Sequence, residues 1–109
     1  MRIWDIHVKN LCRQHLLGEH NELHAMWSII TKDLKGFCNH PETKRWRGKL
    51  KALYKKHEEI INEMERRGYN HKSCLDKKKA RGKSFQDYKW QSVKKQKELL
   101  KKRCKFCKV

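Results

Sequence analysis

The sequence contains little that would interrupt a helix and nothing that would cross a membrane. It has one proline, Pro41, and five glycines among 109 residues. Its longest apolar stretches, such as 25–27, are a few residues long, whereas a membrane-spanning helix needs about 20. The first residues also lack the apolar core of a signal peptide. We therefore expect a cytoplasmic protein that makes no membrane contact.

Acidic residues are scarce. The sequence has 12 Asp and Glu against 29 Lys and Arg, which gives a formal net charge of +17. Self-repulsion of this size works against compaction, so it usually indicates a polyanionic partner. A nucleic acid is the first interpretation of such a basic footprint. An anionic membrane surface or another acidic partner is the alternative.

Cysteines are present in an odd number and at irregular positions. Five cysteines do not form a disulfide framework, and reduced thiols fit the expected compartment. Cys104 and Cys107 form a CxxC pair, and His71 with Cys74 could complete a set of four zinc ligands. The alternative is that these are exposed thiols in a basic tail. We expect no metal and no cofactor.

Apolar residues recur at helical spacing in two long stretches. The first covers residues 10 to about 34, either as one helix or divided at Gly18. The second starts near Thr43 and ends at Gly68, which follows two arginines and suits a helix C-terminus. Its apolar stripe consists of Trp46, Leu50, Leu53, Tyr54, His57, Ile60, Ile61 and Met64.

A third, sparser helix is expected over 85–102, with Phe85 and Tyr88 among its apolar anchors. Residues 35–40 are expected to form a loop, and residues 70–84 a flexible connection. The predicted fold is all-α: a single compact domain over 1–109, with about three main helices and a basic tail at 103–109.

Four short motifs occur in a fixed order along the first 70 residues. They are Met-Arg-Ile at 1–3, Gln-His-Leu at 14–16, Glu-His-Asn-Glu-Leu at 19–23, and Glu-Met-Glu-Arg-Arg-Gly-Tyr-Asn at 63–70. In this order they resemble the pyrimidine-dimer DNA glycosylases of the phage endonuclease V type, which also cleave abasic sites. The resemblance covers roughly the first 70 residues.

The resemblance implies specific roles for four residues. Met1 occupies the position whose α-amine attacks the sugar carbon that bears the damaged base, forming an imine. Glu22 occupies the position of the catalytic glutamate. Arg2 and His15 match an active-site arginine and an active-site histidine.

The chemistry is reasonable for an α-amine. Its reference pKa is about 7.8, against about 10.4 for lysine. The neutral, nucleophilic fraction at pH 7 is therefore much larger for an α-amine than for a lysine. A facing carboxylate such as Glu22 can stabilise the cationic imine and move protons. Arg2 can hold the flanking phosphate and fix the sugar against the amine.

The sequence departs from the family pattern in ways that affect DNA binding. Since Arg2 is too bulky for removal of the initiator methionine, we expect Met1 to be retained. Asn21 and Ala25 stand where the phage enzyme has two arginines, so phosphate contacts must come from elsewhere. We expect Asn21 still to contact the DNA, and we expect the phosphate contacts from basic residues early in the second long helix: Lys44, Arg45 and Arg47.

The resulting hypothesis is a monomeric repair enzyme whose partner is duplex DNA containing damaged pyrimidines or abasic sites. It removes the damaged base and then breaks the strand by β-elimination. Two alternatives stay open: a non-catalytic basic nucleic-acid-binding protein, and a small zinc-bridged interaction module. Glu22 would then be a solvated ion-pair partner, and His15 a capping or core residue.

Overall fold

The fold consists of helices packed around an N-terminal segment that contains one 3-10 turn, Val8–Asn10. A computed structural model describes residues 2–32, 35–36, 39–69, 74–89 and 91–108. Its helices are α1 (Arg13–Thr31), α2 (Pro41–Trp46), α3 (Leu50–Arg66) and α4 (Val93–Arg103), and these ranges contain no β-strand. The predicted all-α class is confirmed. No helix in this described part combines the length and apolar character needed to span a bilayer.

Helix α1 runs without a break through Gly18. A glycine inside a helix costs about 1 kcal/mol relative to alanine, but burial of the surrounding apolar positions outweighs that cost here. Leu16, Leu23 and Met26 are fully buried, and Trp27 nearly so. Of the two possibilities left open by the sequence, the single helix is the one observed.

The second predicted helix is divided in two at Gly48. This glycine has a φ of 78°, in the left-handed region where a side chain would be strained. The chain therefore turns between α2 and α3 instead of continuing as one helix. Gly68, with a φ of 79°, follows the end of α3 as predicted, and the predicted apolar stripe of α3 does face the core.

The start of α3 is completed by backbone from a distant loop. The first amides of a helix have no partner within it. Here Lys51 N–H donates to Arg81 O, and Ala52 N–H donates to Lys83 O, each at 3.0 Å. Gly82 lies between the two acceptors, and a Cβ there would come within 2.2 Å of Gly48 O. Residues 81–83, expected to be flexible, are thus hydrogen-bonded to α3.

Helix α4 is shorter than predicted. Ser92 caps it, its Oγ accepting from Lys95 N at 3.1 Å, so the helix starts at 93 and not at 85. Phe85 and Tyr88 precede it and are 62% and 56% exposed. The prediction that they anchor this helix was wrong, because the local capping signal at Ser92 decides where the helix begins.

The N-terminal segment over 2–11 is part of the core, although no sequence pattern assigned residues 2–9 to an element and residues 10–11 were expected to begin the first helix. Ile3, Ile6, Val8 and Leu11 are buried. The end of the segment is held by Arg67, whose guanidinium donates to Leu11 O at 2.7 Å. The residues that follow Met1 are therefore fixed in place by the core.

Candidate active site

Glu22 lies on α1 with a half-buried side chain, accessible from solvent. Asn21, beside it, is exposed. One turn earlier on the helix is Glu19, and one further turn earlier is His15. Residues spaced i, i+4, i+7 share one face of a helix, so these three side chains lie along the same flank of α1.

Glu19 is a buried carboxyl that contacts the N-terminal segment. It is 3% exposed, and its Oε1 accepts the backbone N–H of Trp4. Within the described ranges no donor reaches its Oε2. Burial raises the pKa of Glu19 to about 7, against a smaller opposing effect of Lys56. A carboxyl of this kind can hold or release a proton near neutral pH.

A second buried carboxyl, Glu42 of α2, holds the residues just after Met1. Ile3 N–H donates to Glu42 Oε2 at 3.3 Å, and Trp46 Nε1–H donates to Glu42 Oε1 at 3.0 Å. Glu42 is 1% exposed. Trp46 is buried in the core, as predicted, and its indole N–H stabilises the carboxylate that fixes the N-terminal segment.

Arg45, expected at the DNA surface, lies in the interior. Its guanidinium pairs with Glu42 at 2.6 Å and with Asp5 at 2.7 Å, and its side chain is 2% exposed. It also donates to Ile3 O at 3.1 Å. With its donors used inside the protein, Arg45 positions the N-terminal segment and does not reach a phosphate.

Arg2 is half-buried and contacts both the N-terminal segment and the C-terminal part of the chain. Its guanidinium carbon lies 4.2 Å above the centre of the Trp4 ring. One of its nitrogens donates to Gln91 Oε1 at 2.9 Å. Nearby, Asp5 N–H donates to Gln96 Oε1 at 2.9 Å. The N-terminal segment is therefore clamped from the C-terminal part of the chain as well as from α2.

Lys44 and Arg47 are exposed, in contrast to Arg45 between them in sequence. Lys44 lies on the outer surface of α2, whose inner face carries Glu42 and Arg45, and Arg47 is the residue that follows the helix. This basic surface is thus next to the short helix that fixes the segment following Met1. It remains the predicted position of phosphate contacts. Met1 itself is outside the described residues.

Comparison with known protein families decides the class of the protein. The pyrimidine dimer DNA glycosylase family matches residues 1–77, more than half of the chain. The chain belongs to this family. Comparisons with curated proteins and with solved structures gave no significant match. As a family member the protein is a DNA-repair glycosylase, and the family implies damaged duplex DNA as its partner.

The matched region of this glycosylase contains most of the candidate site. Arg2, His15, Glu19, Glu22 and the α2 residues all lie within 1–77. Residues 78–109 lie beyond the match, yet they supply the partners Gln91 and Gln96. The clamp on the N-terminal segment therefore combines the family region with the C-terminal part of this chain.

Among the residues that the structure describes, two groups of side chains in this family member could hold a metal ion. The first contains Cys12, His15, Cys104 and Cys107, whose ligand atoms all lie within 4.8 Å of one another. The CxxC pair singled out in the sequence thus meets Cys12 and His15. Cys74, which the zinc alternative used, is exposed and outside this group, and His71 lies outside the described residues.

The second group consists of three imidazoles between α1 and α3. The Nε2 atoms of His20, His24 and His57 are 3.0–3.3 Å apart. They lie on the flank of α1 that packs against α3, away from Glu22. Their spacing allows one cation to contact all three.

Sequence reasoning missed Glu19, Glu42 and the histidine trio. Glu19 occupies a position on the apolar stripe of α1, between Leu16 and Leu23. A carboxyl at such a position is a usable signal of a buried functional group. Glu42 gave no comparable signal, because its long-range partner is the backbone of Ile3, in a segment that no periodic pattern assigned to an element.

Proposed function

We propose that this protein removes pyrimidine dimers from duplex DNA and then cleaves the strand at the resulting abasic site. The observation that carries the proposal is the family match over residues 1–77, together with a buried network that fixes Arg2 and Ile3 beside the acidic flank of α1. The α-amine of Met1 is the proposed nucleophile, and Glu22 the proposed catalytic carboxylate.

The direction of the N-terminal segment supports this assignment. Cys12 precedes α1, whereas Trp4 is level with Glu19, two turns into the helix. Followed backwards from Leu11, the segment therefore runs along α1 toward the turn that carries Glu22. A carboxylate in this position can face the cation that forms on the N-terminal amine.

The proposed reaction has two stages. In the first, the amine nitrogen bonds to the sugar carbon C1′ as the bond from C1′ to the base breaks, and the base leaves with a proton. The new amine then gives up one proton, and its lone pair forms the C1′–N double bond of a protonated imine as the C1′–O4′ bond of the sugar ring breaks and O4′ takes up a proton. Glu22 stabilises this cation and exchanges the protons.

In the second stage, a proton is removed from C2′ of the sugar and the 3′ phosphate leaves, which breaks the strand. Water then hydrolyses the imine and returns the free amine. Arg2, held over Trp4, is proposed to bind the phosphate beside the lesion. Lys44 and Arg47 are proposed to bind the backbone further along.

The charge alone would also fit a non-catalytic DNA-binding protein, so the test must separate binding from chemistry. A duplex with a single cyclobutane dimer and a duplex with a single abasic site are each incubated with the protein. We expect both to be nicked. Glu22→Gln, which keeps the size of the side chain, should lower the cleavage rate by at least about 100-fold while DNA affinity is retained.

Glu98→Gln on α4 is the matched control, since Glu98 is exposed and lies beyond the family region. It removes the same charge and should keep full activity. Cleavage of the abasic duplex alone would restrict the proposal to the lyase step. Binding without any cleavage by the unsubstituted protein would support the non-catalytic alternative instead.

A further inference from the structure

The start of α1 and the residues after α4 meet at a group of sulfur and nitrogen ligands, here called the Cys3His cluster: Cys12, His15, Cys104 and Cys107. Cys12 is the residue before α1 and His15 lies in its first turn. Cys104 and Cys107 follow the end of α4. Each pair is separated by two residues, the spacing at which structural zinc sites present two ligands to one ion.

The distances within the cluster fit a tetrahedral zinc ion. Cys12 Sγ and Cys104 Sγ are 3.7 Å apart. Tetrahedral bonds of about 2.3 Å place two sulfurs about 3.8 Å apart. The same two sulfurs are too far apart for a disulfide, whose bond is about 2.05 Å, and all three cysteines of the cluster are free.

The position of the imidazole agrees with the same geometry. His15 Nδ1 lies 3.1 Å from Cys12 Sγ and 3.5 Å from Cys107 Sγ. Zinc bonds of about 2.0 Å to nitrogen and about 2.3 Å to sulfur would separate these atoms by about 3.5 Å. Nδ1 of His15 therefore faces the sulfurs, and the ring completes a set of four ligands.

Backbone amides are directed at two of the sulfurs. Phe106 N–H donates to Cys104 Sγ at 3.4 Å, and Cys12 N–H donates to Cys107 Sγ at 3.2 Å. Such bonds stabilise thiolate ligands and fix their direction. Lys108 N–H also donates to Asn10 O at 2.8 Å, which holds the C-terminal residues of the cluster against the residues before α1.

Charge favours the metal-bound form. Three thiolates and one Zn²⁺ give the cluster a net charge of about −1. Arg103, Lys105 and Lys108 are within four residues of its C-terminal ligands, in a chain of formal charge +17. An anionic centre among these cations lowers their mutual repulsion.

We propose that the Cys3His cluster binds one structural Zn²⁺ that ties the C-terminal end of the chain to the start of α1. With four protein ligands the site has no open position for substrate, so it supports the fold and does not perform chemistry. Because His15 shares the flank of α1 that carries Glu19 and Glu22, the ion would also fix that flank relative to α4. The proposal does not rest on the glycosylase activity, and it makes His15 a metal ligand instead of the active-site histidine that the resemblance implies.

The first test measures zinc by elemental analysis in the purified full chain. Cys107→Ser should contain one zinc ion per chain fewer than the unsubstituted protein, and Cys74→Ser should contain the same amount. His15→Cys should keep the ion, because a fourth thiolate replaces the imidazole. Equal metal content in the unsubstituted protein and in Cys107→Ser would overturn the proposal.

A second test uses the unsubstituted protein, so it does not depend on a variant that folds. Cys74 is exposed and lies outside the cluster, so its thiol should react rapidly with a thiol reagent. The three thiols of the cluster should react only after a chelator removes the zinc. Co²⁺ in place of zinc should give the intense visible bands of tetrahedral thiolate coordination. Rapid reaction of all five thiols in the freshly purified protein, or cysteines of the cluster found oxidised to a disulfide, would contradict the site.

Discussion

Lys44 and Arg45 are adjacent residues of equal charge, yet the structure gives them opposite roles. Lys44 is exposed, whereas the Arg45 guanidinium lies between Glu42 and Asp5 with 2% of its side chain exposed. The substitutions Lys44→Met and Arg45→Met each remove one positive charge and keep an unbranched side chain. They should therefore separate DNA binding from stability.

Arg45→Met should be strongly destabilising. Removing one member of a buried ion pair costs about 3–5 kcal/mol, because the partner charge stays buried without compensation. Two carboxylates lose their partner here, so we expect the upper part of this range. The total free energy of unfolding of a domain of this size is roughly 5–15 kcal/mol. The loss is therefore easily measured by urea denaturation.

Lys44→Met should change the free energy of unfolding by less than about 0.5 kcal/mol. Its effect should appear in DNA binding. The slope of log affinity against log salt concentration should become shallower by about 0.9, the value for one lost phosphate contact. Arg45→Met, studied under conditions where it is folded, should leave this slope unchanged.

A double variant tests whether the destabilisation has the proposed cause. If Arg45→Met acts through Glu42, then Glu42→Gln should lower the free energy of unfolding much less in the Arg45→Met variant than in the unsubstituted protein. The coupling energy should be at least about 1 kcal/mol. Additive effects, or a loss below about 1 kcal/mol in Arg45→Met together with a shallower salt slope, would refute the interior role of Arg45.

Two further predictions concern stability. The pKa of Glu19 is raised from 4.5 to about 7, so its ionisation weakens the fold as pH rises through that interval. Relative to the unsubstituted protein, Glu19→Gln should therefore gain about 2.5 kcal/mol of stability between pH 5 and pH 8, and a pH-independent difference in urea unfolding would argue against a buried carboxyl. Gly82→Ala should lower the free energy of unfolding by about 1–3 kcal/mol, because Gly82 has a φ of 87° and a Cβ there would clash with Gly48 O. Unchanged thermal stability would show that residues 81–83 are not bound to α3 as described.

Helical periodicity predicted a helix correctly where its apolar pattern was regular and poorly where the pattern was sparse. The dense stripes of α1 and α3 could be identified because every turn contributes a buried residue. The sparse pattern before Ser92 could not locate the start of α4, since few apolar positions distinguish helix from loop. Gly48 was not recognised as a break, because a glycine after a short amphipathic stretch is also tolerated within a helix.

Only those site residues that belong to short motifs in a recognisable order along the chain could be predicted. The motifs at 1–3 and 19–23 pointed to Glu22 and to the family, and the family was confirmed. The burial of Arg45 could not be predicted, because a run of lysines and arginines does not show which member faces the interior. The meeting of Cys12 with Cys107 depends on how α4 returns to α1, which no local pattern contains.

The most direct test of the proposed function is to trap the covalent intermediate with DNA. The protein is mixed with a duplex containing one abasic site in the presence of borohydride, which reduces the imine to a stable bond, and the adduct is located by peptide mapping. We predict that the sugar is attached to the α-amine of Met1, and that acetylation of this amine abolishes both trapping and cleavage while DNA binding persists. An adduct on an internal lysine, or full activity of the acetylated protein, would contradict the account.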